Sequence, residues 1–138
     1  MFVINDMELL ERLSKHKILS YLEQKSNLVL SAIQLNSYSL TIQQVIKKIE
    51  TIKILHYEKE GFDAWMPSAR KHLTIGQLST IYLALCNKGA ILVLSPEDEP
   101  LKEEAKKHKV AQVHFDDFCI RMIRDERMIQ LYHLIKVA

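Results

Sequence analysis

Glycine and proline are scarce in this chain. There are three of each in 138 residues, and Gly61, Gly76, Gly89, Pro67, Pro96 and Pro100 all stand singly. This excludes a GxGxxG dinucleotide loop and a GxxxxGK[ST] phosphate loop, whose turns and backbone cradles need clustered glycines. No GxSxG stretch occurs, so a strained nucleophile turn of the α/β-hydrolase type is absent as well. Cysteine is equally sparse. Cys86 and Cys119 form no CxxC, which argues against a thiolate zinc site. Both fall at core-facing helical positions and are expected to be buried thiols of a reducing compartment. The six histidines are scattered without an HxxxH pair, and most are expected at the surface, with His114 on a strand. No apolar run approaches the roughly 20 residues of a membrane span. The opening MFVINDMELLERL has an acid at position 6 and no basic segment, unlike a signal peptide. The default expectation is a cytoplasmic protein with no membrane contact.

Charge of either sign is also lacking in excess. The 19 basic and 17 acidic residues leave a net +2, too balanced to argue for or against nucleic acid. Apolar residues make up 48% and charged residues 26%, as in an ordinary globular chain. The length suits one hydrophobic core, and no repeat or linker divides it, so residues 1–138 are read as a single domain.

What the chain does have is short apolar runs alternating with helical periodicities. FVI (2–4) reads as a strand, followed by a helix carrying Leu9, Leu10, Leu13, Ile18, Leu19 and Leu22, with Asn5 or Asp6 as its cap. LVLS (28–31) is a second strand, after which a helix takes over from Ile33 and more clearly from Leu40. IKILHY (52–57) is a third strand. EKEGFDAWMPSARK is a polar helical segment broken at Pro67. Its Trp65, with Tyr57 and near Lys59, Arg70 and Lys71, could stack on a base, but the favoured reading is that the two rings cover the sheet edge. Thr74 opens a further helix running to about Asn87, with Gly89 suited to its left-handed end. AILVLS (90–95) has the continuous apolar character of a central parallel strand. A charged helix, the strand VAQVHF (110–115) and one or two closing helices complete the chain. This alternation predicts a three-layer α/β/α sandwich around a mostly parallel sheet.

Open parallel sheets bind ligands beyond the carboxyl ends of their strands. That rule selects Asp6 after the first strand, Ser95, Glu97 and Asp98 after the 90–95 strand, and Asp116 and Asp117 after the last. Gln77 falls in the first turn of the helix feeding the central strand. Carboxylates converging on one rim suit a hard cation such as Mg²⁺ or Mn²⁺, which would serve phosphoryl transfer. Each position also has a plain structural use. Asp6 can be an N-cap, Glu97 and Asp98 can be turn or first-turn acids, and Asp116 and Asp117 are expected to cap the last helical region. Thr74 and Gln77 have the spacing of a capping box, which explains Gln77 without any function.

Taken together, FVIND (2–6), LTIGQLSTIYLAL (73–85), VLSPEDEPLKEEAKKHKV (93–110) and VHFDDF (113–118) resemble, in order and spacing, the PIN-domain family of metal-dependent nucleases that includes VapC-like toxins. The resemblance spans most of the chain. It implies catalytic, metal-binding roles for Asp6 and Asp98, with Glu97 as a stand-in. It places Ser39 and Gln77 at two positions where the family carries acids. Two of four carboxylates are therefore replaced by neutral side chains, and Mg²⁺ or Mn²⁺ is expected to bind weakly. Three functions follow as expectations: a catalytically degenerate or weak PIN-like domain that binds RNA or a partner; an active metal-dependent ribonuclease of a toxin–antitoxin pair; and a small α/β regulatory domain of receiver type. The resemblance also implies an antitoxin-like protein or a second copy as partner. The closing segment, MIRDERMIQLYHLIKVA, has apolar surface enough to pack on the domain or on that partner.

Overall fold

The computed structural model describes residues 1–14, 27–49, 52–56, 59–66, 73–95 and 98–137. Five strands form one sheet: β1 (Phe2–Ile4), β2 (Leu28–Ser31), β3 (Lys53–Leu55), β4 (Ile91–Leu94) and β5 (Ala111–His114). Every pairing is parallel and the order is β3-β2-β1-β4-β5. The chain lays β2 and β3 on one side of β1, then places β4 and β5 on the other. Flavodoxin-type and receiver sheets run 2-1-3-4-5, so the expectation of a receiver-type domain is corrected by the strand order.

Helices cover both faces of the sheet. Alternation along each strand explains the two layers, because successive side chains point to opposite faces. Ile4, Leu28, Leu30 and Val93 pack on one side with Leu10 and Leu13 of α1 (Met7–Ser14), Phe115 and Phe118 of α7 (Phe115–Ile123), and Tyr132 of α8 (Glu126–Val137). Val3, Val29, Leu92 and Leu94 face the opposite way, onto Phe62 of α4 (Lys59–Trp65), Leu78 and Ile81 of α5 (Ile75–Cys86), and Leu101 and Ala105 of α6 (Glu99–Lys107). The result is the three-layer α/β/α sandwich expected, PIN-like in its arrangement.

The helical region after β2 is split. α2 (Ala32–Asn36) ends at Ser37, and α3 (Leu40–Lys47) starts anew with Ser39 as its cap. β5 is shorter than expected, because Phe115 already begins α7. The C-terminal region is two helices, separated where Arg124 takes a left-handed φ of 58°. Gly89 also takes a left-handed φ, 83°, in the turn between α5 and β4. Trp65 packs against Phe62, Tyr82 and His108 beside the sheet, whereas Tyr57 lies outside the described residues.

Two expectations are corrected. Cys119 is buried, but Cys86 is exposed: the core residues of α5 end with Leu83 and Ala84, and Leu85 and Cys86 beyond them face outward. Asp116 and Asp117 do not cap α7. The cap position is His114, which makes no side-chain cap bond. Asp116 instead accepts hydrogen bonds from Tyr132 Oη (2.6 Å) and Lys136 Nζ, tying α7 to α8. The closing segment therefore packs on its own domain, with Tyr132 and Ile135 in the core. Among the described residues, no helix is long and apolar enough to cross a membrane.

Candidate functional site

The two sides of the sheet part between β1 and β4, and a crevice opens at their carboxyl ends. A cleft of about 620 Å³ lies there. Its lining includes Asp6, Ser39, Gln77 and Asp98. Four positions separated by up to 92 residues in sequence thus meet in one place, and the crossover topology is the reason. β1 and β4 are adjacent and parallel, so the residues that follow them share one rim. Glu97, also selected from the sequence, lies outside the described residues. Asp116 and Asp117 do not line the cleft.

Local structure fixes each of these side chains. Asp6 caps α1, with its Oδ1 accepting the Leu9 N–H at 3.0 Å. Ser39 caps α3 through the Ile42 N–H at 3.4 Å. Thr74 and Gln77 form the reciprocal capping box: the Gln77 N–H donates to Thr74 Oγ1, and the Thr74 N–H donates to Gln77 Oε1, both at 3.1 Å. Asp98 occupies the cap position of α6, yet makes no side-chain cap bond. Its Oδ2 instead accepts Asn5 Nδ2 at 3.2 Å.

Asn5 is the organising residue that the sequence reading passed over, having considered it only as a cap. It is buried, and every polar group it carries has a partner. Its backbone N–H donates to the Val93 carbonyl (3.1 Å), which fastens β1 to β4. Its Oδ1 and main-chain oxygen both accept Gln34 Nε2, at 2.7 and 2.8 Å. Gln34 comes from α2 and is likewise buried in the cleft lining. A chain of hydrogen bonds therefore runs Gln34–Asn5–Asp98, two amides and a carboxylate, across three segments of the site. Position was the available signal, since Asn5 is the first residue past the central strand.

Close packing holds α2 against α5. A Cβ at Gly76 would meet Gln34 Cα and Ser37 Oγ at 3.3 Å. Ser31 Oγ and Ser79 Oγ add a buried hydrogen bond of 2.6 Å between the end of β2 and α5. These contacts leave the cleft with amides and hydroxyls where a cluster of acids would be needed to hold a metal. Mg²⁺ demands a near-ideal octahedron and gives up water reluctantly. Among the described residues, no group of three or more His, Cys, Asp or Glu side chains stands together to hold an ion. Asp6 and Asp98, each already accepting a hydrogen bond, are a poor fit to Mg²⁺ or Mn²⁺.

The groups with shifted acidity lie away from the cleft, at the α7–α8 junction. Burial pushes the Cys119 thiol and the Tyr132 hydroxyl well above their ordinary values. Burial also works to raise the Asp116 carboxyl, but the hydrogen bonds from Lys136 and Tyr132 outweigh it and leave the group below the usual carboxylate range. No family model, no curated protein and no solved structure matches this chain.

Proposed function

We propose that this chain is a PIN-like domain whose cleft binds single-stranded RNA and cleaves it weakly or not at all. One observation carries the reading. Asp6 and Asp98 line the same cleft at the carboxyl ends of two adjacent strands, together with Ser39 and Gln77, whose side chains are engaged in helix caps. Gln77 can offer a carbonyl oxygen but cannot serve as a base at neutral pH. Two anions attract a dication less than four do, so the chemistry that a full acidic cluster supports is weakened while the cleft itself is kept. The competing reading, an active Mg²⁺- or Mn²⁺-dependent ribonuclease, draws its support from the same convergence of Asp6 and Asp98.

The test is an RNA-binding and cleavage assay on generic single-stranded RNA across a Mn²⁺ titration. Binding with no metal-dependent cleavage is expected. Mn²⁺-dependent cleavage that disappears in Asp6→Asn and Asp98→Asn would overturn the degenerate reading in favour of the enzyme. The absence of any RNA binding would remove the nucleic-acid role.

A further inference from the structure

Gln34 carries the observation that reaches furthest. Its side chain is 4% exposed and lines the cleft. Nε2 is committed twice, to the main-chain oxygen and to Oδ1 of Asn5. Both partners are acceptors, so turning the amide over would set oxygen against oxygen. Oε1 is thereby fixed, and it is buried with no hydrogen-bond partner among the described residues. Natively buried acceptors are almost always paired, so an orphan of this kind at a cleft points to a ligand donor.

The two carboxylates of the lining ask for the same chemistry. Ionised carboxylates only accept, and each has about four lone-pair sites. Asp6 gives one of these sites to the Leu9 N–H. A phosphate would bring further negative charge to two anions and would be repelled. Groups carrying paired N–H donors are favoured instead. The wall is of another character. Tyr38 and Ile42 line it, and Leu40 and Ile75, 73% and 57% exposed, follow directly on the lining residues Ser39 and Thr74. Apolar side chains beside carboxylates and the Gln34 oxygen suit a flat ring with donors along one edge.

We infer that the cleft accepts the Watson–Crick edge of a guanine base from single-stranded RNA. The inference rests on the RNA-binding reading above and states which part of the RNA enters. Guanine presents its N1–H and its exocyclic amine side by side, the pair a carboxylate takes bidentately. The second hydrogen of that amine remains for Gln34 Oε1. Adenine sets an acceptor beside its amine, and uracil has a single donor between two acceptors. Bases in single-stranded RNA can be splayed out to expose this edge and packed on side chains.

An NMR titration of the whole chain with guanosine, in the presence of a metal chelator, tests this. Guanosine is expected to shift signals of Asn5, Asp6, Tyr38 and Gln77. Inosine, which lacks the exocyclic amine, is expected to bind about tenfold more weakly, and adenosine more weakly still. Asp6→Asn keeps the cap of α1, because asparagine caps as well as aspartate. At least one of Asp6→Asn and Asp98→Asn is expected to lower guanosine affinity about tenfold with an unchanged unfolding midpoint. Equal response to guanosine and adenosine would overturn the inference, as would affinity undiminished in both variants. Preference for methylguanidinium over guanosine would also overturn it, reassigning the cleft to an arginine side chain of a protein. Metal-dependent binding of poly-U at the same residues would keep the RNA reading and reject guanine, whereas no RNA binding rejects both.

Discussion

Gln77→Glu separates the two roles that meet at this position. Glutamate has the reach of glutamine and completes the same capping box, so both 3.1 Å bonds with Thr74 should persist. A new anion in the first turn of α5 gains about 0.3–1 kcal/mol from the helix dipole. The same anion joins Asp6 and Asp98 in the cleft lining. Unit charges about 4 Å apart in a water-like medium repel by about 1 kcal/mol, and less at longer range. The two effects nearly cancel, so the metal-free variant should unfold within about 4 °C of the parent. Mn²⁺ changes the balance, because a third carboxylate relieves the shortage of donors and the ion relieves the repulsion. At ten times its dissociation constant, a bound ion adds about 1.4 kcal/mol. The assay is thermal unfolding in chelator and in millimolar Mn²⁺, with the parent alongside. A metal-free loss above about 1.5 kcal/mol would refute the capping account. Equal Mn²⁺ stabilisation of parent and variant would refute the claim that position 77 belongs to the acidic frame.

Three further outcomes follow from the packing. Gly76→Ala gains up to about 1 kcal/mol of helix propensity but pushes a methyl against the backbone of Gln34, which cannot swing aside. Overpacking of about 1–3 kcal/mol should win, giving a net loss of about 1 kcal/mol in denaturant unfolding together with weakened ligand binding at the cleft. The folded-state acidity of Asp116 is shifted to lower pH, so its stabilisation is complete above the ordinary carboxylate value and disappears as pH falls through the lowered one. Asp116→Asn should therefore flatten the acid limb of stability below about pH 4, as followed by the near-ultraviolet signal of the α7–α8 aromatics. A thiol reagent should find one reactive group per native chain, exposed Cys86, and two after unfolding, since Cys119 is buried and its thiol is pushed far up. Two fast-reacting thiols in the native protein would contradict the packing of α7.

The class of fold was legible because it depends on local signals. FVI and LVLS fall on β1 and β2 to the residue. Thr74 and Gln77 announced α5 by spacing alone, and both of their predicted bonds are present. Errors arose where a choice depended on neighbours distant in sequence. Asp116 has the composition of a cap, yet Tyr132 and Lys136 claim it from another helix. Cys86 has the periodicity of the buried face, yet the core residues of α5 end at Ala84 and leave it exposed.

By itself, the sequence determined the alternation of strands and helices, the parallel sheet this implies, and the candidate acids at the strand ends, because these are set by side-chain period and by chain polarity. The tertiary structure decided the order β3-β2-β1-β4-β5, and with it the meeting of Asp6 and Asp98 in one cleft. It also decided that Asn5 and Gln34 tie that cleft together and leave one buried carbonyl oxygen without a donor among the described residues. Neither amide has any spacing or composition to mark it. Their importance comes from hydrogen bonds between segments 29 and 93 residues apart, and only closure of the sheet brings those segments into contact.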